Sequence, residues 1–150
     1  MRRLSGYPVW YYGFMLSILL GLFASALVIL PNTMEMRFDM DTPFHVSSGI
    51  RLASTAAHSF LGFISIALLG SLTALHTRLG WQRRLNRLSG SVLIGGFALL
   101  LLSAIGIYYL GDPDLSRFTS LLHTIIGFAF AAIFIWHCIK GRKIRRTNPD

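Results

Sequence analysis

Four long stretches of the chain hold almost no charge, and short polar segments separate them. The apolar runs cover about Tyr7 to Leu30, Ser48 to Leu75, Ser89 to Leu110 and Phe118 to Ile139. Apolar residues cluster in these runs rather than alternating with polar ones, which points to an integral membrane protein. Each run approaches or exceeds the ~20 residues that a helix needs to cross the hydrocarbon core. Backbone facing lipid must satisfy its own hydrogen bonds, so helices are the expected form. The pattern predicts an all-α integral membrane four-helix bundle, a single membrane domain over residues 1–150. Pro31 is expected to end the first span.

Composition agrees with this picture. Apolar residues make up 53% of the chain and charged residues only 13%, too few for a soluble surface. A net charge of +8 would fit nucleic acid, but the basic residues lie at the ends of the apolar runs, as membrane topology requires. No nucleic-acid partner is expected; the lipid membrane is. Arg2 and Arg3, the first apolar run and Ala24-Ser25-Ala26 resemble a signal peptide. Leu27 to Leu30 carry the run past that point, which suits a retained helix better.

Charge also orients the spans. Of the 14 basic residues, eleven fall on one side: Arg2, Arg3, Arg78, Arg83, Arg84, Arg87, Lys140, Arg142, Lys143, Arg145 and Arg146. Only Arg37, Arg51 and Arg117 fall on the other, with Glu35, Asp39, Asp41, Asp112 and Asp114. The positive-inside rule then places both termini and the middle loop in the cytoplasm. Spans two and four run in the same direction under this reading.

Those two spans carry the chemistry. His58 and His76 belong to the second, His123 and His137 to the fourth. An ionisable side chain within a membrane span is costly and asks for a functional reason. His58 and His76 are 18 residues apart, about five full α-helical turns, so they share a face. His123 and His137 are 14 apart, about 40° short of four turns, and share a face as well. The corresponding rises are ~27 Å and ~21 Å, the scale on which two haems would stack across a ~30 Å bilayer. His58 follows Arg51 by seven residues and His123 follows Arg117 by six, so their levels agree. Two bis-histidine sites are expected: His58 with His123 toward the outside, and His76 with His137 toward the cytoplasm. Neutral imidazole suits iron, and each ligand's other ring nitrogen should find a partner that fixes its orientation.

Other residues extend the reading. His58-Ser59-Phe60-Leu61-Gly62-Phe63 parallels His123-Thr124-Ile125-Ile126-Gly127-Phe128, a local repeat that hints at two related hairpins. Gly62 and Gly127 lie under their histidines and would let a flat macrocycle approach the backbone. Arg51 and Arg117 are candidate partners for haem propionates at the outer site, and Arg78, Arg83, Arg84 and Arg87 at the inner one. Gly90, Gly95, Gly96 and Gly106 give span three small faces suited to close helix packing. His45 reads as a solvated loop residue. The one cysteine, Cys138, reads as a buried thiol, and without a CxxCH no covalently attached haem is expected.

Together these features resemble the small four-helix di-haem cytochromes b, in particular the membrane cytochrome b subunits of formate dehydrogenases and nickel–iron hydrogenases. The final span carries the likeness, with His123, His137 and then Lys140-Gly141-Arg142. The resemblance implies that His123 and His137 serve different haems and that His58 is the partner histidine on helix two. The chain departs from the formate dehydrogenase type, whose inner partner lies on helix one. Helix one has no histidine here, so His76 would serve instead.

The implied role is electron transfer between the quinone pool and a periplasmic redox subunit or cytochrome, in a bacterial inner membrane. The implied cofactors are two haem b, with quinone as substrate near Trp81 and the start of the inner loop. The redox partner would dock on His45 and the acidic residues around it. The chain would then be one subunit of an oxidoreductase complex rather than a stand-alone enzyme.

Three other readings stand beside this one. A haem-free anchor or assembly subunit would use its histidines as helix–helix hydrogen-bonding groups. A proton-relaying transporter lacks acidic partners within the spans and a helix interrupted at mid-membrane. A metal exporter or sensor would cluster its histidines at one depth, whereas these occupy two. A one-haem protein using only His58 and His123 is the nearest variant of the main reading.

Overall fold

The computed structural model describes residues 7–82 and 86–147, which are helical apart from short connections, with no strand among them. Four helices are long and apolar enough to cross a membrane. We label them α1 (Tyr11–Phe38), α2 (Ser48–Gln82), α3 (Arg87–Tyr109) and α4 (Pro113–Thr147). Arg2, Arg3, Arg83 and Arg84, counted above on the basic side, lie outside the described residues.

The chain divides into two compact units, Met1–Arg78 and Leu79–Asp150. Each is built on an antiparallel helical hairpin, α1 against α2 in the first and α3 against α4 in the second. The cores are thin. Tyr11, Met15, Ile18, Ser65 and Leu68 are buried in the first unit, and Ser89, Phe97, Ser103, Gly106 and Ser120 in the second. Leu52 and Phe63 are each 73% exposed, and many other large apolar side chains point outward. Water would penalise such a surface, whereas lipid tails solvate it.

Small residues bring the paired helices together. A Cβ on Gly21 would stand 2.9 Å from Leu61, and one on Gly106 would stand 2.8 Å from Thr119. Gly90 and Gly96 also face α4, against His137 and Phe130, while Gly95 faces open space. Close packing is therefore the role of three of the four span-three glycines.

The helix ends depart from the sequence reading in instructive ways. Tyr7 lies before α1, which begins at Tyr11. Pro31 does not end α1, which continues seven residues further to Phe38. Proline removes one N–H, but a helix in a membrane protein tolerates that loss when its neighbours compensate. The true stop is Asp39, which adopts a left-handed conformation (φ 52°) while the Asp39 and Met40 amides both donate to the Met34 carbonyl. At the start of α4, Asp112 caps the helix by accepting the Leu115 amide at 2.8 Å, with Pro113 in the first helical position.

The largest departure is within α2, where residues Thr73–Thr77 form a π-helical turn. A tyrosine from across the hairpin meets it. The Tyr7 hydroxyl donates to the Ser71 carbonyl, and the Leu75 and His76 amides hydrogen-bond the same hydroxyl. A side chain has entered the helix ladder, which widens the turn. Tyr11 stacks on Tyr7 with ring centroids 4.4 Å apart, and its own hydroxyl bonds Ser71 Oγ.

Candidate functional site

Three of the four span histidines share one local arrangement: Nδ1 lies against a serine hydroxyl on the neighbouring helix. His58 Nδ1 is 3.0 Å from Ser25 Oγ on α1. His123 Nδ1 is 2.9 Å from Ser103 Oγ, and His137 Nδ1 is 2.8 Å from Ser89 Oγ, both on α3. All three imidazoles are half-buried.

The serines fix the tautomer. Ser25 Oγ spends its proton on the Gly21 or Leu22 carbonyl, at 2.8 and 3.0 Å. Ser103 Oγ donates to the Leu100 carbonyl at 3.0 Å. A hydroxyl has one proton, so toward the histidine each serine can only accept. Nδ1 must then carry the hydrogen, and the ring's lone pair falls on Nε2. His58 strengthens the case, because its Nδ1 also lies 3.1 Å from the Leu22 carbonyl, which is purely an acceptor.

His137 sits in a denser network. Ser89 Oγ donates to Asn86 Oδ1 at 2.6 Å, and Asn86 Nδ2 donates to the His137 carbonyl at 3.4 Å. Asn86 Nδ2 is also 3.1 Å from His137 Nδ1. Nδ1 cannot both accept from the amide and donate to Ser89. Ser89 Oγ, whose one proton goes to Asn86 Oδ1, accepts at its contact with the ring, which favours the hydrogen on Nδ1. Ser89 is fully buried, so leaving this network incomplete would be costly.

The register is regular. Ser89 and Ser103 are 14 residues apart on α3, and their partners His123 and His137 are 14 apart on α4. Antiparallel helices with matched spacing bring both pairs into contact at once. This was legible in principle, yet the sequence reading passed over all three serines as histidine partners.

His76 differs. It lies inside the π-helical turn and is exposed. The count that put it on the face of His58 assumes unbroken α-geometry. A π turn takes up an extra residue, which moves His76 off that face by up to about 100°. The structure thus corrects the shared-face expectation for this pair.

The remaining candidates are placed as follows. A Cβ on Gly62 would meet nothing within 4 Å, and one on Gly127 would meet only Leu100, at 4.0 Å. Arg51 contacts Met36 Sδ and lines a groove between α1 and α2. Arg117 is exposed in the second turn of α4. Trp81 is 54% exposed, with the Arg87 guanidinium 5.1 Å from its ring centroid and donating to its carbonyl. His45 Nε2 is 3.5 Å from Glu35 Oε1 in the connection between α1 and α2. Cys138 is half-buried.

Among the described residues, no group of three or more His, Cys, Asp or Glu side chains is arranged to hold a metal ion. No protein-family model, curated protein or solved structure matches the chain.

Proposed function

We propose that this chain is a membrane cytochrome b subunit that moves electrons between the quinone pool and a periplasmic redox partner. Its two b-type haems would take axial pairs His58 with His123 and His76 with His137. The observation that supports this reading is the serine–histidine arrangement repeated in both hairpins. An imidazole ligand binds iron through an unprotonated nitrogen and is oriented by a hydrogen bond at its other one. Ser25, Ser103 and Ser89 provide that bond to His58, His123 and His137.

A bound haem supplies reversible one-electron transfer. The chain's part is to hold the imidazoles, exclude water and leave room for the macrocycle. Gly62 and Gly127 leave such room, and Arg117 is the outer-side cation offered to a propionate. Arg51 already belongs to the groove beside α1. Trp81 and Arg87 would form the quinone-facing edge on the cytoplasmic side.

The test is a reduced-minus-oxidised spectrum of purified protein with haem stoichiometry by pyridine haemochrome. Two b-type haems per chain support both pairs. One haem restricts the reading to His58 and His123, as the exposed position of His76 would favour. A colourless, folded protein removes the cytochrome reading. The same serine–histidine bonds also join helices, so that outcome would leave a membrane anchor whose histidines serve packing.

A further inference from the structure

The last helix is longer than a membrane core is thick. The 35 residues of α4 span about 52 Å at 1.5 Å per residue, against ~30 Å of hydrocarbon. Its apolar run over 118–139 is about 33 Å long and fills that core. The chain stays helical for two further turns, to Thr147. Residues 140–143 rise about 6 Å, roughly the depth of one headgroup layer.

That layer receives a dense positive charge. Lys140, Arg142 and Lys143 fall there, and the sequence adds Arg145 and Arg146 just beyond. The carboxylates among the described residues of this unit are Asp112 and Asp114, ~39 Å away at the other end of α4. Arg142 and Lys143 are exposed.

A tryptophan fixes the height of this charge. Lys140 Nζ stands 5.0 Å from the centroid of the Trp136 ring, one turn earlier. Trp136 is 47% exposed, and an indole settles at the membrane–water interface. The ring occupies one side of the ammonium, whose three N–H groups still serve a headgroup. Trp136, Lys140 and Lys143 fall at i, i+4 and i+7, on one helical face. The side of α4 toward α3 is marked instead by His123, Phe130 and His137, which meet Ser103, Gly96 and Ser89. Lys143 lies about 120° round the helix from His137. At the start of α3, Arg87 repeats the tryptophan pairing but commits its guanidinium to the Trp81 carbonyl. The α4 cations are therefore the ones presented to a ligand.

We propose that the face formed by Trp136, Lys140 and Lys143 binds the phosphodiester of an anionic phospholipid. Lys140 and Lys143 donate to the phosphate oxygens, and Arg142 adds to the field that draws the lipid in. The acyl chains lie along Ile135 and Ile139, which are exposed below it. Topology asks only that the charge be on one side. The contact between ammonium and indole places it at phosphate height. A zwitterionic lipid brings its own cation into the same field and competes poorly. This assignment depends neither on haem nor on which side of the membrane the helix ends.

The test uses the full chain in phosphatidylcholine vesicles, with Trp10→Phe and Trp81→Phe leaving Trp136 as the one tryptophan. Part of the lipid is replaced by phosphatidylglycerol or phosphatidylcholine with brominated chains, and quenching of Trp136 gives their relative affinity. Phosphatidylglycerol should be preferred by about fivefold or more, the equivalent of one surface cation. Lys140→Gln with Lys143→Gln should remove most of that preference, as should molar salt, whereas Lys140→Arg should keep it. Equal quenching by the two lipids overturns the proposal. So does a preference that largely survives the double substitution, which would move the site elsewhere on the chain. A preference that soluble glycerol phosphate removes also overturns it, because the ligand would then be a free anion.

Discussion

Ser103 Oγ accepts a hydrogen bond from His123 Nδ1 at 2.9 Å while donating its own proton to the Leu100 carbonyl. That one hydroxyl sets which nitrogen of His123 carries the hydrogen, and it ties α3 to α4 in the half of the hairpin nearer their connection.

Replacing Ser103 by alanine removes this constraint. We expect a stability loss of about 0.6–2 kcal/mol, the range for interhelical polar contacts in membranes. On the proposed function, haem at the outer site should also be lost or shift in potential, while Ser103→Thr should retain it. Haem content and a redox titration check both. Unchanged haem with lowered stability would assign the bond to packing alone.

Gly106 predicts a steric penalty. An alanine Cβ there would meet Thr119 Cγ2 at 2.8 Å and Thr119 Cβ at 3.2 Å. Threonine is stiff at χ1 and its hydroxyl is held by the Leu115 and Ser116 carbonyls, so it cannot swing aside. Gly106→Ala should cost about 1–3 kcal/mol. Thr119→Ser should recover part of that cost by deleting Cγ2. Gly95→Ala, which meets nothing within 4 Å, should be neutral or slightly stabilising. Thermal unfolding of the variants in one detergent ranks them.

Tyr7 predicts a change of helix phase. Its hydroxyl stands in the ladder of α2 at Ser71, Leu75 and His76. Tyr7→Phe should let the turn at Thr73–Thr77 relax toward α-geometry, rotating His76 by up to about 100°. Amide hydrogen exchange in that turn should slow once regular bonds form. A distance measurement from a spin label near His76 would report the rotation. Unchanged exchange would show that the π turn is intrinsic to its own sequence.

Charge predicts topology. Cysteines placed singly at the ends of the chain and in the middle loop, in a Cys138→Ala background, should be labelled only from the cytoplasmic side of oriented vesicles. A cysteine at Asp41 should be labelled only from the other side. The reverse pattern would overturn the expected orientation and, with it, the docking face for a periplasmic partner.

The number of spans and the histidines they contain follow from the chain alone, while three of the four helices run seven or eight residues past the ends that the apolar runs predict. A membrane imposes one length on every crossing and drives charge to the ends, so composition by itself marks the runs. The likeness between the segments around His58 and His123 was equally visible, and both proved to sit in hairpins with a serine against Nδ1. What the tertiary structure decided was every contact between residues distant in sequence. The partnership of Ser89 and Ser103 with the histidines depends on the antiparallel register of α3 and α4, which no local pattern encodes. The π turn around His76 meets Tyr7, which reaches it from 64 residues before Ser71. Hydrophobic length is a property of a segment, whereas hydrogen-bond satisfaction is a property of the segments that meet.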